Sequence, residues 1–311
     1  MNRGSAVPRA VLALLLALGL LAGVSLFVTQ TTVPPEETFE SPSESPPESL
    51  PDAVHENLNA TLWVQSSAEY VGAAEQAYLL ARLMLDRALE DPTWSAALEQ
   101  QAAGKYEELP PAVILDVDET VLDNSPYQAR QIVDGFEFTT ATWHDWVREA
   151  QATPVPGALA FTRYAAEHGV AVYYVTNRRA EVESATYENL GRLGFPMGGE
   201  VDTLLTRDEQ PDWGSDKGTR RMVVGADHRI LLLVGDNFGD FASDIDTTVA
   251  LRAELAKRYS GLWGERWIVL PNPQYGSWDG ALIDYQYGLD LGDKRARKAA
   301  ALHTARQGAE R

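Results

Sequence analysis

From Val54 onward, apolar side chains recur at mostly helical intervals: Leu58, Leu62, Val64 and Ala68, then Val71, Ala74, Tyr78, Ala81 and Leu85, until Asp91-Pro92 interrupts them. This spacing predicts two helices or one bent one. After Pro110-Pro111 the pattern becomes a short unbroken apolar run, Ala112 to Leu115, as expected of a buried strand. Comparable runs stand at Val170 to Val175, Thr203 to Leu205, Ile230 to Val234 and Trp267 to Leu270. Between them lie helix-like stretches at 157–168, 181–193 and 244–259, closed by Gly169, Gly194 and Gly261. Strands alternating with helices predict an α/β class: a Rossmann-like, mainly parallel sheet with helices on both faces. The expected organisation is a helical segment over 53–109 packing on a core that spans 110–311 and ends in a C-terminal helix. The stretch 123–156 after the first strand is too long for a plain crossover and carries Phe136, Phe138, Trp143 and Trp146, so it reads as a cap-like insert. The basic run Lys294, Arg295, Arg297 and Lys298 reads as a solvated helix face.

The beginning of the chain follows other rules. Arg3 and Arg9 precede nineteen uncharged residues, Ala10 to Val28, so 1–30 reads as an export signal or a single membrane anchor. Gly23-Val24-Ser25 is a poor cleavage site, which favours the anchor. Residues 31–52 hold Pro34, Pro35, Pro42, Pro46, Pro47 and Pro51 among Glu and Ser, the composition of a disordered linker. The expected location is therefore outside the cytoplasm, membrane-anchored or secreted.

Composition narrows the chemistry. The 311 residues include no cysteine, which excludes disulfides, thiolate metal sites and a lipid anchor on cysteine. A formal charge of −19 argues against a nucleic-acid polymer as partner, which would need clustered Lys and Arg. A small anionic substrate remains compatible, provided a local cation holds it. The five histidines show no paired metal spacing.

In open parallel sheets the ligand sits at the carboxyl ends of the strands. Those ends read Asp116-Val-Asp118-Glu119-Thr120, Thr176-Asn177-Arg178 and Gly235-Asp236-Asn-Phe-Gly-Asp240-Phe241, with Lys217 just before a helix expected near Thr219. Crowded carboxylates cannot all stay ionised without a cation, and oxygen-only ligands suit a hard ion such as Mg²⁺. Asp116 is placed to act as nucleophile toward phosphorus, and Asp118, two residues on, as general acid and base. Asp116, the backbone carbonyl of Asp118, and Asp236 would hold the ion. Asp240 would contact a metal-bound water or orient Lys217, and both options stay open.

The same motifs resemble the haloacid dehalogenase superfamily and, within it, the class C acid phosphatases related to the lipoprotein e(P4) 5'-nucleotidase. The likeness covers roughly Leu62 to Tyr285. It runs through Trp63-Val-Gln-Ser-Ser-Ala-Glu-Tyr70 with Gln76-Ala-Tyr78, Ile114-Leu-Asp-Val-Asp-Glu-Thr-Val-Leu-Asp-Asn-Ser-Pro-Tyr127, Val175-Thr-Asn-Arg178, Gly235 to Phe241, and Leu270-Pro-Asn-Pro-Gln-Tyr-Gly-Ser-Trp278. The resemblance implies an Mg²⁺-dependent phosphomonoesterase whose substrate is a small phosphomonoester. It also implies that Thr176 and Lys217 hold phosphoryl oxygens, that Asn177 and Arg178 contact substrate, and that Trp143 and Tyr275 sandwich the base of a 5'-mononucleotide. Two rivals remain: a catalytically silent nucleotide- or anion-binding protein on the same fold, and a carbon-halogen hydrolase. Intact Asp116 and Asp118 speak against the first, and Asp118 against the second.

Overall fold

The structure is a computed structural model, described here for residues 55–303. The expected anchor over 1–30 and linker over 31–52 lie outside the described residues. Within them no helix is long and apolar enough to cross a membrane.

The first apolar stripe folds as two helices, α1 (Leu58–Ser66) and α2 (Ala68–Glu90). They part at Ser67, whose extended backbone ends α1 and whose hydroxyl caps α2 by accepting from the Tyr70 amide at 3.0 Å. Pro92 follows the end of α2 and holds Asp91 extended. A short helix α3 (Leu98–Ala103) leads into β1 (Pro111–Leu115).

Five strands form one parallel sheet: β1, β4 (Ala171–Arg179), β5 (Leu204–Arg207), β6 (Arg229–Gly235) and β7 (Trp267–Val269), in the order β5-β4-β1-β6-β7. The alternation along β1 shows why its apolar run is continuous. Val113 and Leu115 join the core on one face with Ala74, Tyr78 and Leu85 of α2, while Ala112 and Ile114 join the other with Leu233, Phe241 and Trp267. The chain builds outward from β1 through β4 to β5, then crosses back to lay down β6 and β7 on the other side. The carboxyl end of β1 therefore faces the crevice where strand order reverses.

The connections place helices α6 (Ala158–Glu167), α7 (Glu183–Leu193), α8 (Gly218–Asp227), α9 (Val249–Arg258), α10 (Ser277–Leu282) and α11 (Leu291–Ala300) around the sheet. The insert after β1 contains α4 (Ser125–Asp134) and α5 (Thr140–Glu149). A two-stranded antiparallel clasp, β2 (Leu122–Asp123) with β3 (Thr153–Pro154), closes it. At its exit Gly157, with φ of +86°, brings the chain so near α2 that a Cβ would lie 2.9 Å from that of Tyr78.

Two boundaries differ from expectation, and one exposed face is ion-paired. The fourth strand runs on to Arg179, so Thr176, Asn177 and Arg178 are strand residues with an irregular register to β5. The helix expected over 244–259 begins only at Val249, because Thr248 turns its hydroxyl onto the Leu251 amide and Asp244 takes φ of +56°. The basic face of α11 is paired: Lys298 reaches Glu56 and Asp279, Arg295 reaches Glu56, and Arg297 reaches Asp284.

Arg229 joins the helical layer to the sheet. It is buried at the start of β6, and its Nη1 donates to the carbonyls of Ala88 (3.3 Å), Asp91 and Trp94, the first of which belongs to the carbonyls left over at the end of α2. Arg229→Met removes a charged donor and strands these carbonyls, so the unfolding free energy is expected to fall by about 2 to 4 kcal/mol. Urea unfolding against the parent protein measures this, and an unchanged midpoint would contradict it.

Candidate active site

Asp116 follows β1 directly, and its amide continues the ladder by donating to the Val234 carbonyl at 2.9 Å. Its carboxylate is thus delivered by the sheet itself. Lys217, at the start of α8, is buried and places Nζ on Asp116 Oδ1 and 2.7 Å from Asp240 Oδ1. Asp236 follows β6 and accepts from Asn272 Nδ2 at 2.8 Å and from the Thr120 hydroxyl at 3.2 Å.

Asp240 stands in a 3-10 turn, Phe238–Asp240, and its Oδ2 accepts from the Asn237 amide at 2.8 Å. This turn folds back over the strand end so closely that a Cβ on residue 235 would lie 2.3 Å from Asp240 Oδ2, which is why a glycine ends β6. Of the two roles open for Asp240, the geometry shows contact with Lys217. Asp240 also belongs to a carboxylate group: one oxygen from each of Asp116, Asp236 and Asp240 lies within 4.8 Å of the others.

This donor set fits a hard divalent cation. It is oxygen-only, with Asp116 and Asp240 buried and Asp236 half-buried, and three carboxylates against one ammonium leave two negative charges. The strain of that charge is visible in the acids. Burial pushes Asp116 up to about 7, with Asp240 and Asp118 adding to the rise and Lys217 opposing it. Burial, then Asp240 and Asp116, push Asp236 well above the carboxylate range. Burial alone would lower Lys217, but Asp116 and Asp240 outweigh it and the ammonium is held above its ordinary value.

The other expected residues stand as follows. Asp118 keeps its side chain outside the carboxylate group and pairs with Arg178, whose Nη2 lies 2.8 Å from Oδ1. Any part it has in holding a cation falls to its backbone carbonyl. Arg178 is 1% exposed, with its donors committed to Asp118, Thr186 and Asn124, so its expected contact with substrate gives way to a role behind Asp118. Thr176 is fully buried and its hydroxyl accepts from the Arg178 amide at 3.0 Å, leaving its own O–H to donate. Asn177 is exposed and bridges Arg220 Nη2 (2.8 Å) and the Ser215 carbonyl (2.9 Å). Trp143 is half-buried on α5, its ring edge-on to Tyr127 at 5.1 Å, with the Arg178 guanidinium 5.6 Å from its centroid. Tyr275 donates its hydroxyl to Glu119 Oε2. Both rings are tied through one partner to the turn after β1.

Several supporting residues were not anticipated. Glu119, at φ of +56°, is buried and accepts from the Asn124 amide at 2.8 Å as well as from Tyr275. Burial, and then Asp118, Asp236 and Asp123, push its carboxyl well above the usual range. Arg220 ties the end of β4 to the loop before α8 by donating to the carbonyls of Thr176 and Gly214. Arg221 pairs with Glu99 at 2.5 Å and donates to the Gly239 and Asp240 carbonyls, which fixes the turn that carries Asp240. The adjacent arginines one helical turn after Lys217 were the available signal. From α2, the Tyr78 hydroxyl donates to the Thr120 carbonyl at 2.5 Å, and Tyr70 is raised first by burial and then by Asp123, Glu119 and Asp236.

A strand-end aspartate with a buried lysine and two further acids at the switch point of a capped parallel sheet defines a hydrolase built for a small anion. Comparisons with known proteins agree. The family model of the HAD superfamily, subfamily IIIB (acid phosphatase), matches residues 26–278. The class C acid phosphatase of Bacillus anthracis is 35% identical, with a TM-score of 0.70 over 80% of this chain and 97% of that one. Its tungstate-bound form is similar at 34% identity and a TM-score of 0.69. The stem 31 kDa glycoprotein of Glycine max is 25% identical over 166 residues, which span 52% of this chain and 58% of that protein. The chain belongs to the acid phosphatase family of the HAD superfamily, and its class of activity is that of a phosphomonoesterase.

The raised carboxyls give stability a defined pH dependence. A carboxyl whose folded pKa lies above its unfolded value favours the fold fully below the unfolded value, and this contribution is lost as pH rises through the folded one, about 7 for Asp116. Asp236 shifts in the same direction, and the raised Lys217 loses its contribution only at more alkaline pH. In chelator, the melting temperature is expected to decline between about pH 5 and pH 8, with Mg²⁺ restoring most at the upper end and Asp236→Asn flattening the slope. A melting temperature that rises over that range in chelator would contradict the assignment.

Proposed function

We propose that this chain is an exported, Mg²⁺-dependent acid phosphatase that hydrolyses phosphomonoesters, 5'-mononucleotides in particular, through an aspartyl-phosphate on Asp116. The observation that carries the reading is the buried contact of Lys217 with both Asp116 and Asp240 at the end of β1, beside Asp236. It supplies a nucleophile held by the sheet, a cation for a phosphoryl oxygen, and acids enough for a metal. The tungstate-bound form of the Bacillus anthracis enzyme, in which an oxyanion is held by a chain of the same fold, lends further support.

In this reading Asp116, Asp236 and Asp240 would hold Mg²⁺ together with the Asp118 carbonyl, and the ion would supply charge neutralisation at the phosphoryl oxygens. Asp116 attacks phosphorus. Asp118 protonates the leaving oxygen and then takes a proton from the attacking water. Lys217 and the Thr176 hydroxyl hold phosphoryl oxygens, and Lys217 keeps Asp116 oriented before substrate arrives. Export rests on the charge-free stretch Ala10 to Val28 behind Arg3 and Arg9.

Asp116→Asn is expected to abolish turnover without loss of fold, and Asp118→Asn to cost a factor of about 10² to 10⁴. Hydrolysis of a chromogenic phosphomonoester with Mg²⁺ or chelator measures both, and activity that survives either Asp116→Asn or complete metal removal overturns the mechanism. Trp143 and Tyr275 test the nucleotide preference. Stacking on one aromatic contributes roughly 1 to 3 kcal/mol, so alanine at either position is expected to lower nucleotide kcat/KM about tenfold to a hundredfold and to spare a small aliphatic phosphomonoester. Equal losses on both substrates would make the rings packing residues and leave the base unrecognised.

A further inference from the structure

The fold treats the two carboxylate oxygens of Asp118 differently. Oδ1 accepts from Arg178 Nε at 2.9 Å and from Asn124 Nδ2 at 2.9 Å, with Arg178 Nη2 a further 2.8 Å away. No hydrogen bond among the described residues reaches Oδ2. An oxygen that already accepts from two N–H donors, with a second guanidinium nitrogen in ionic contact, has both lone pairs engaged, so the proton of the acid form sits on Oδ2.

The groups behind Oδ1 are themselves fixed. Arg178 and Asn124 are both buried, at 1% and 0% exposure. Arg178 Nη1 donates to the Thr186 hydroxyl at 3.2 Å, and Nη2 to Asn124 Oδ1 at 3.1 Å. That same Asn124 oxygen accepts from Trp146 Nε1 at 2.9 Å, which brings in the cap helix α5. The carboxylate of Asp118 is thus aimed from β4, from the root of the insert and from the cap.

We propose that Arg178 and Asn124 are positioning residues for proton transfer, pinning Oδ1 of Asp118 so that Oδ2 alone serves the reacting oxygens. The proposal rests on the reading of Asp118 as proton donor and acceptor given above. In the first step the Asp116–phosphorus bond forms, the bond from phosphorus to the leaving oxygen breaks, and that oxygen takes the proton from Oδ2. Asp118 is left as a carboxylate against the guanidinium, so the new charge is compensated without rearrangement. In the second step a water oxygen bonds to phosphorus, its proton passes to Oδ2, and Asp116 departs as a carboxylate. Over both steps the proton borrowed from Asp118 is returned.

Arg178→Lys keeps the charge but cannot reach Asp118, Asn124 and Thr186 at once with donors of fixed geometry. The informative readout is kcat/KM for two leaving groups, because this ratio ends at leaving-group departure: glycerol phosphate needs a proton there, and p-nitrophenyl phosphate does not. The expected result is a loss of about tenfold to a hundredfold on glycerol phosphate, with p-nitrophenyl phosphate little changed. Equal loss on both esters in a variant with the parental circular dichroism, or no loss on either, overturns the proposal. Asn124→Ala, which removes one of the two donors to Oδ1, carries the same comparison with a smaller expected loss if Arg178→Lys does not fold. A wild-type protein inactive on both esters would instead overturn the reading of the site on which the proposal stands.

Discussion

One buried ammonium makes the site possible. Without Lys217, the carboxylates of Asp116, Asp236 and Asp240 would meet in a desolvated space without the one cation in direct contact with two of them. Taking an ion out of water costs several kcal/mol, and like charges this close add to that cost. Lys217 offsets part of it and leaves the remainder to a divalent cation. Much of the surrounding architecture fixes this one contact: Lys217 immediately precedes α8, Arg221 anchors the turn of Asp240, and Gly235 lets that turn close on the strand.

What could be read from the chain beforehand was whatever its local pattern encodes. The alternation of buried strands and glycine-terminated helices is written within windows of ten to fifteen residues, and the acids follow their strands directly. Asp116, Asp236 and Asp240 were therefore legible, and so was Lys217 ahead of its helix. The supporting residues were not, because their meaning lies in partners far along the chain. Arg221 finds Glu99 at a separation of 122 residues, and Arg178 finds Asp118 at 60. Beside Thr176 and Asn177, an arginine reads as a substrate contact, and only its burial against Asp118 reveals otherwise. Glu119 was hidden in plain view, since its importance depends on a positive φ and on Tyr275 from the last loop.

The insert emerges as more than a cover. Trp146 reaches Asn124, Trp143 lies against Arg178, and both lead to Asp118. The insert thus meets Asp118 directly through Asn124 at its root and indirectly through the two tryptophans behind Arg178 and Asn124. The antiparallel clasp of β2 and β3 fastens both ends of this insert beside the turn after β1.

The strand order has a consequence for how activity arises during folding. The central strand pairs with β4 and β6, and Lys217 and Asp236 reach their partners on the first motif across 101 and 116 residues of chain. Such distant pairings are entropically slow to close, and every one must form before the charge cluster exists. A nascent chain that has emerged only as far as β5 holds Asp116 but neither Lys217 nor Asp236. The charge cluster is therefore incomplete until the chain has run past β6, with the first three strands of the sheet already made.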